Sequence, residues 1–169
     1  MVILSQALSH PHPPPPPPSS RSIPANAFAG LTKLVSLQLD SNTIYTPKHS
    51  PLPASAFAGL VALTDLKLGN NNIQALEAGS FTAMRPSLQS LSLNDNWLTT
   101  LPDQAFTGLT KLTSLWLQRN VLTVLPLNAF KDLSNLKVLA LQVRRTSYTC
   151  LVPLVALVPL VPGSSTLID

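Results

Sequence analysis

The chain has 169 residues, which is long enough for one domain with a buried core. Hydrophobic residues make up 45% of it and charged residues 11%, a balance that excludes a chain disordered along its whole length. The formal net charge is +4, and apart from the adjacent Arg144 and Arg145 the Lys and Arg residues are dispersed singly along the sequence. Without a clustered basic patch, the composition does not favour a nucleic-acid partner.

Residues 1–20 form a proline-rich head. Pro13 to Pro18 are consecutive prolines, whose φ is fixed and which have no backbone N–H. We expect a disordered segment of polyproline II type outside any core. Such a segment suits the aromatic groove of a proline-binding domain, which is a candidate partner, although a low-complexity head without a partner is the more frequent case. Met1 to His10 lacks a cationic start, so no secretory signal is predicted.

The body, residues 21–142, repeats the leucine pattern L-x-x-L-x-L-x-x-N. Its first leucines lie 29, 25, 24 and 24 residues apart, and they are Leu34, Leu63, Leu88, Leu112 and Leu136. The unit is therefore 24 residues long, with five extra residues near Pro47 to Pro51 and one near Arg85 to Ser87. The L-x-L alternation predicts a short strand with one buried face in each unit, and stacked units predict a parallel sheet.

Two other residue types follow the same period. All five phenylalanines occupy one column, and they are Phe28, Phe57, Phe81, Phe106 and Phe130. We expect them to form a spine of core aromatic rings. An asparagine follows the strand in four units, at Asn42, Asn71, Asn96 and Asn120. A buried amide there can bond backbone groups that the sheet leaves unpaired, so this column is predicted to be structural.

The pattern resembles the leucine-rich repeat family, in the variety whose units continue with L-P-x-x-x-F-x-x-L. Two units match this continuation, with Leu101, Pro102, Phe106 and Leu109, and with Leu125, Pro126, Phe130 and Leu133. The resemblance implies an α/β-type solenoid, a right-handed superhelix with a short-stranded parallel sheet on the concave face and loops or short helical turns on the convex face. This variety is typical of secreted proteins and receptor ectodomains, which favours an extracellular location.

By this resemblance, the chain is expected to be a protein-binding module, a fragment of a secreted or receptor-type protein, whose concave face meets a macromolecular partner. The residues that would contact the partner vary from unit to unit, and they are Gln38, Asp40, Lys67, Asn94, Asp95, Trp116, Gln118 and Arg119. Trp116 lies between two strand leucines and is expected to be exposed as an anchor. The alternative is an intracellular scaffold that uses both the repeats and the proline-rich head.

No motif for catalysis, nucleotide binding or metal binding is found in the sequence. It has no G-x-G-x-x-G, G-x-x-x-x-G-K-[ST], G-x-S-x-G or H-E-x-x-H. His10, His12 and His49 do not make a four-ligand set with the distant Cys150. We therefore expect no enzyme activity, no metal and no cofactor.

Residues 143–169 form an apolar tail without the repeat. The stretch 151–161 is short and broken by prolines, so no membrane-spanning helix is predicted. The repeat stops after Gln142, and Gln-Val-Arg is what reading through a splice-donor-like junction would encode. We hypothesise that this tail is translated noncoding sequence.

Overall fold

The computed structural model describes residues 2–4, 22–141 and 166–168. Its strands are short and parallel, as the leucine spacing predicts. They are β1 (Val2–Leu4), β2 (Ser36–Gln38), β3 (Tyr45–Thr46), β4 (Asp65–Lys67), β5 (Asn72–Ile73), β6 (Ser90–Ser92), β7 (Ser114–Trp116), β8 (Val138–Leu141) and β9 (Thr166–Ile168). Two 3-10 helices span Thr82–Met84 and Leu127–Phe130. Within the described residues, the predicted helical turns are therefore 3-10 turns rather than α-helices.

The main sheet has the order β2-β4-β6-β7-β8-β1-β9. In the five repeat strands, the register places the central strand leucines in one column, and these are Leu37, Leu66, Leu91, Leu115 and Leu139. Four of these five are buried, and the exception is Leu37 in the edge strand. The structure confirms a solenoid in which each coil adds one strand and one layer of leucines to a continuous core.

Two strands extend the sheet beyond the last repeat. β1 pairs with β8 in parallel, and β9 pairs with β1 in the same direction. Both come from segments that the sequence analysis places outside the repeats, so the leucine period does not predict them. The polyproline stretch Pro13–Pro18, Cys150 and most of the apolar tail lie outside the described residues.

The phenylalanines form the predicted spine. Consecutive ring centroids lie 5.8 to 6.1 Å apart along the whole column. The first three pairs are stacked, whereas Phe106 and Phe130 are tilted by 50°. Phe28, at the start of the column, is only partly buried, while the other four are buried. The column is thus a core feature, as predicted, and it is weakest at its first member.

The asparagine column is also structural, as predicted. In Asn96, Nδ2 donates to the carbonyls of Leu68, Leu93 and Asn94, and Oδ1 accepts from the N–H of Ile73. Asn71 and Asn120 repeat this arrangement and are likewise buried. Each amide therefore ties the turn of its own coil to the coil before it.

The five extra residues of the first insertion leave the coil and return to it. Thr46 Oγ1 and Leu52 N lie 3.1 and 3.0 Å from the same acceptor, the carbonyl oxygen of Ala75. Thr46 and Leu52 are buried, whereas residues 48–50 between them are exposed. The insertion is therefore a surface loop whose two ends both bond the carbonyl of Ala75 in the next coil.

Deletion of Pro47–Pro51 is expected to change the free energy of unfolding by less than about 1 kcal/mol. The deletion joins Thr46 to Leu52, restores the 24-residue period and keeps both bonds to Ala75. Chemical denaturation followed by circular dichroism measures the change. A transition that is no longer cooperative would show that the excursion is part of the folded core.

Candidate binding surface

All eight residues predicted to bind a partner lie on β2, β4, β6 or β7 or within three residues after them. Cross-strand pairing aligns the outward residues of successive strands in one column, which contains Gln38, Lys67, Ser92, Trp116 and Ala140. Asp40, Asn94 and Gln118 follow the second strand leucine of their coils and make the adjacent column. The structure thus brings the predicted residues onto one face of the sheet.

A polar network occupies the middle of this face. Asn94 Nδ2 donates to Asp95 Oδ2 at 2.6 Å. Arg119, in the next coil, donates from Nη1 to the other carboxylate oxygen of Asp95, Oδ1, at 3.3 Å. Ser92 Oγ donates to the side-chain carbonyl of Asn94. Gly69 makes room for this amide, because a Cβ there would come within 2.9 Å of Asn94 Oδ1. The network fixes the positions of side chains from two neighbouring coils.

In the first four coils, a third column has left-handed backbone where the chain turns after the strand. Its φ angles lie between 53° and 57°, at Ser41, Asn70, Asp95 and Arg119. Asn and Asp tolerate this conformation, but for most side chains it costs about 1 to 2 kcal/mol. Arg119 holds a long side chain in this conformation and is 65% exposed. Arginine is therefore less favourable than asparagine or aspartate for the backbone conformation at position 119.

Asp65 is a surface residue that the sequence analysis missed. It accepts hydrogen bonds from Ser36 Oγ at 3.4 Å and from Ser90 Oγ at 2.5 Å, so it joins three consecutive coils. The sequence does predict that Asp65 points outward, because side chains alternate along a strand and Asp65 directly precedes the inward Leu66. Only the residue between the strand leucines and the residues after the second leucine were predicted to contact a partner.

Trp116 is half-buried, whereas the sequence analysis predicted that it would be exposed. Its position in the outward column is as expected, between Ser92 and Ala140. An indole is wider than the strand spacing of about 4.8 Å, so side chains on the adjacent strands can cover part of the ring. Ala140 in the same column is only 4% exposed, so this small side chain offers almost no surface to a partner.

The polarity of the outward residues changes along the sheet. The first two repeat strands present polar and charged side chains, including Asp65 and Lys67, and β6 presents two serines. The last two repeat strands present Ser114, Trp116 and Val138, and Ala140 lies in the same column but is buried. The face therefore runs from a charged, hydrogen-bonding end to an apolar end.

One buried acceptor lies at the apolar end. Gln118 Oε1 is buried and has no hydrogen-bond partner among the described residues. Buried polar atoms without a partner are rare, because their desolvation is not compensated. Gln118 directly precedes Arg119 and follows Trp116 by two residues.

The described residues contain no group of three or more His, Cys, Asp and Glu side chains that could hold a metal ion. In the same part of the chain, no helix has the length and apolarity needed to cross a bilayer.

Comparison with protein-family models matches residues 86–142 to the family described as leucine rich repeat. Among solved structures, the chain is similar to one in the structure of the Toll–Spatzle complex, a molecular hub in Drosophila development and innate immunity. That match has 23% sequence identity and a TM-score of 0.32, and it covers 72% of this chain. It covers 26% of the other chain, so this chain spans about a quarter of that length. No curated protein sequence matches.

The family match covers the third to fifth leucine patterns. The first two patterns lie outside the match, and their strands, β2 and β4, continue the same parallel sheet. The family match and the stacked coils together show leucine-rich repeats in residues 86–142.

Proposed function

We propose that the chain is a protein-binding module whose partner lies across the outward face of the main sheet. The observation that supports this proposal is that the backbone geometry repeats from coil to coil while the outward side chains differ. Leucines recur at every inward position, whereas the outward positions differ in each coil and change from charged to apolar. A rigid scaffold with a varied surface is how repeat proteins achieve specific recognition.

The partner segment should be amphipathic. Its apolar side chains would pack against the half-buried Trp116 and Val138, because an aromatic ring beside another apolar side chain is where binding energy concentrates. Its polar groups would reach Asp65 and Lys67 at the other end of the face. Charge pairs at such an exposed end contribute more to orientation and association rate than to affinity.

Two features of the apolar end support this location. Rotation of the Gln118 side chain would bring its unpaired Oε1 to a donor from the partner. Arg119 adopts a left-handed backbone that Gly or Asn would adopt at lower cost, and such strained residues cluster at functional sites. Its guanidinium, held beside Asp95, would make a polar rim to the apolar contact.

Site-specific photocrosslinking tests the location and identifies the partner. A benzophenone amino acid replaces Ser92 on the outward face of the sheet or, as the control, the exposed Asn128 in the 3-10 helix Leu127–Phe130. We expect a protein to be trapped from position 92 and not from position 128. Equal trapping from both positions would contradict the proposed face.

Trp116→Ala is expected to weaken binding of the purified partner by about 2 kcal/mol, or roughly 30-fold in the dissociation constant. Arg119→Gly should also weaken binding, and it should not reduce stability by more than about 1 kcal/mol because glycine relaxes the left-handed backbone. The control is Lys131→Ala, an exposed residue outside this face. Calorimetric titration measures all three, and wild-type affinity for Trp116→Ala and Arg119→Gly would refute the proposal.

A further inference from the structure

Two hydroxyl side chains directly precede a proline, and both lie at the first insertion. They are Thr46, followed by Pro47, and Ser50, followed by Pro51. Proline-directed protein kinases select such pairs, because any other residue after the hydroxyl would leave its backbone N–H unpaired in the complex. The two pairs are equivalent in local sequence, so the fold determines which hydroxyl a kinase can reach.

Thr46 is protected by the fold. Its side chain is buried, and Oγ1 donates to the carbonyl oxygen of Ala75 at 3.1 Å. Thr46 also belongs to β3, which pairs in parallel with β5. Phosphoryl transfer to this hydroxyl would require the loss of the hydrogen bond and the separation of two paired strands.

Ser50 lies in the surface loop 47–51. Its backbone N–H donates to the carbonyl oxygen of Pro47 at 2.9 Å, which closes a turn with Lys48 and His49 at the middle positions. Lys48, His49 and Ser50 are all exposed. The proline that follows favours extended backbone at Ser50, which suits a segment that must lie along the cleft of another protein.

The ends of the loop are held independently of Ser50. Thr46 and Leu52 both bond the carbonyl oxygen of Ala75. Deletion of the five residues between them is expected to have little effect on stability, so the coils do not depend on the conformation of the loop. Ser50 can therefore carry a modification while the solenoid stays folded.

We propose that Ser50 is a phosphorylation site for a proline-directed protein kinase, with ATP as the phosphoryl donor. Ser50 Oγ forms a bond to the γ-phosphorus, the bond from that phosphorus to its bridging oxygen breaks, and ADP leaves with the electron pair. The hydroxyl proton passes to the catalytic carboxylate of the kinase and then to solvent. The products are phosphoserine at position 50 and ADP.

The phosphate would have a cationic neighbour in its own turn. Lys48 lies two residues before Ser50 and carries the only formal charge of the loop 47–51 at neutral pH. A phosphoserine carries a charge of about −1.5 to −2 and accepts charge-assisted hydrogen bonds from an ammonium group. Phosphorylation therefore reverses the sign of the charge on this loop.

Incubation of the folded full chain with Mg²⁺-ATP and a purified mitogen-activated protein kinase tests the proposal, and peptide mass spectrometry locates the phosphate. We expect about one phosphate per chain, at Ser50 and not at Thr46. Ser50→Ala should abolish incorporation, and Pro51→Ala should lower its initial rate about tenfold. In a synthetic peptide of residues 44–55, Thr46 should also be modified, because the fold no longer buries it.

Ser134→Ala is the matched control, because Ser134 is an exposed serine that Asn135 follows instead of a proline. It should leave incorporation unchanged, as should Trp116→Ala, so a failure of the proposed binding face is distinguished from a failure of this site. Circular dichroism checks that the variants are folded.

The same phosphopeptide should be recovered when the full chain is expressed in cultured eukaryotic cells, and an inhibitor of proline-directed kinases should remove it. Absence of phosphate at Ser50, phosphate at Thr46 of the folded chain, or a carbohydrate on Ser50 in place of phosphate would overturn the proposal.

Discussion

Phe106→Ala is expected to lower the free energy of unfolding by about 3 to 5 kcal/mol. Phe106 is 0% exposed, and its ring lies 6.1 Å from that of Phe81 and 5.8 Å from that of Phe130. Removing it deprives two neighbouring coils of contacts, and the close-packed coils around it cannot collapse fully into the space. Urea denaturation of the variant and the wild type measures the difference.

Phe28→Ala is the matched control, because it makes the same chemical change at the end of the column. Phe28 is partly buried and stacks on one ring only, that of Phe57. Its loss of stability should therefore be clearly smaller. Equal small losses for the two variants would show that the phenylalanine column is not the buried spine of the solenoid.

Asn96→Ala is expected to cost about 2 to 4 kcal/mol of stability. The substitution leaves the N–H of Ile73 without its acceptor, and it removes the donor to the carbonyls of Leu68, Leu93 and Asn94. Water cannot readily replace these bonds, because Asn96 is buried. Denaturation of the variant in urea measures the cost.

Two further variants show whether this cost comes from the ladder. Asn42→Ala should cost less, since Asn42 is exposed and donates only to the carbonyls of Leu39 and Asp40 in its own coil. Asn96→Asp keeps the acceptor for Ile73 but turns a carboxylate toward backbone carbonyls, so it should be as destabilising as Asn96→Ala. Wild-type stability of Asn96→Asp would show that the amide donors contribute nothing.

The leucine, phenylalanine and asparagine columns were predictable because the same position of each coil has the same packing or hydrogen-bonding requirement. Leucine alternation fixed the strand and its inward face, and the phenylalanine and asparagine columns followed from the same period. Asn42 marks the limit of this reasoning. It matches the pattern as well as Asn96 does, but it is exposed because no coil in the described residues precedes it.

The features that sequence reasoning missed depend on neighbours that are distant along the chain. The role of Asp65 arises from serines 29 residues before it and 25 residues after it. The half-burial of Trp116 depends on the width of its ring relative to the adjacent strands. The pairing of β1 with the last repeat strand, and of β9 with β1, joins opposite parts of the sequence, and no periodicity encodes such contacts.

The emission of Trp116 during titration with the crosslinked and purified partner tests the central claim most directly. The chain has two tryptophans, and Trp97→Phe leaves Trp116 as the only indole that reports binding. If the partner covers the outward face of the sheet, the emission of Trp116 should shift to shorter wavelength and its quenching by iodide should fall as the partner saturates the chain. Saturable binding with unchanged emission and unchanged iodide quenching would contradict the claim that this face is the recognition surface.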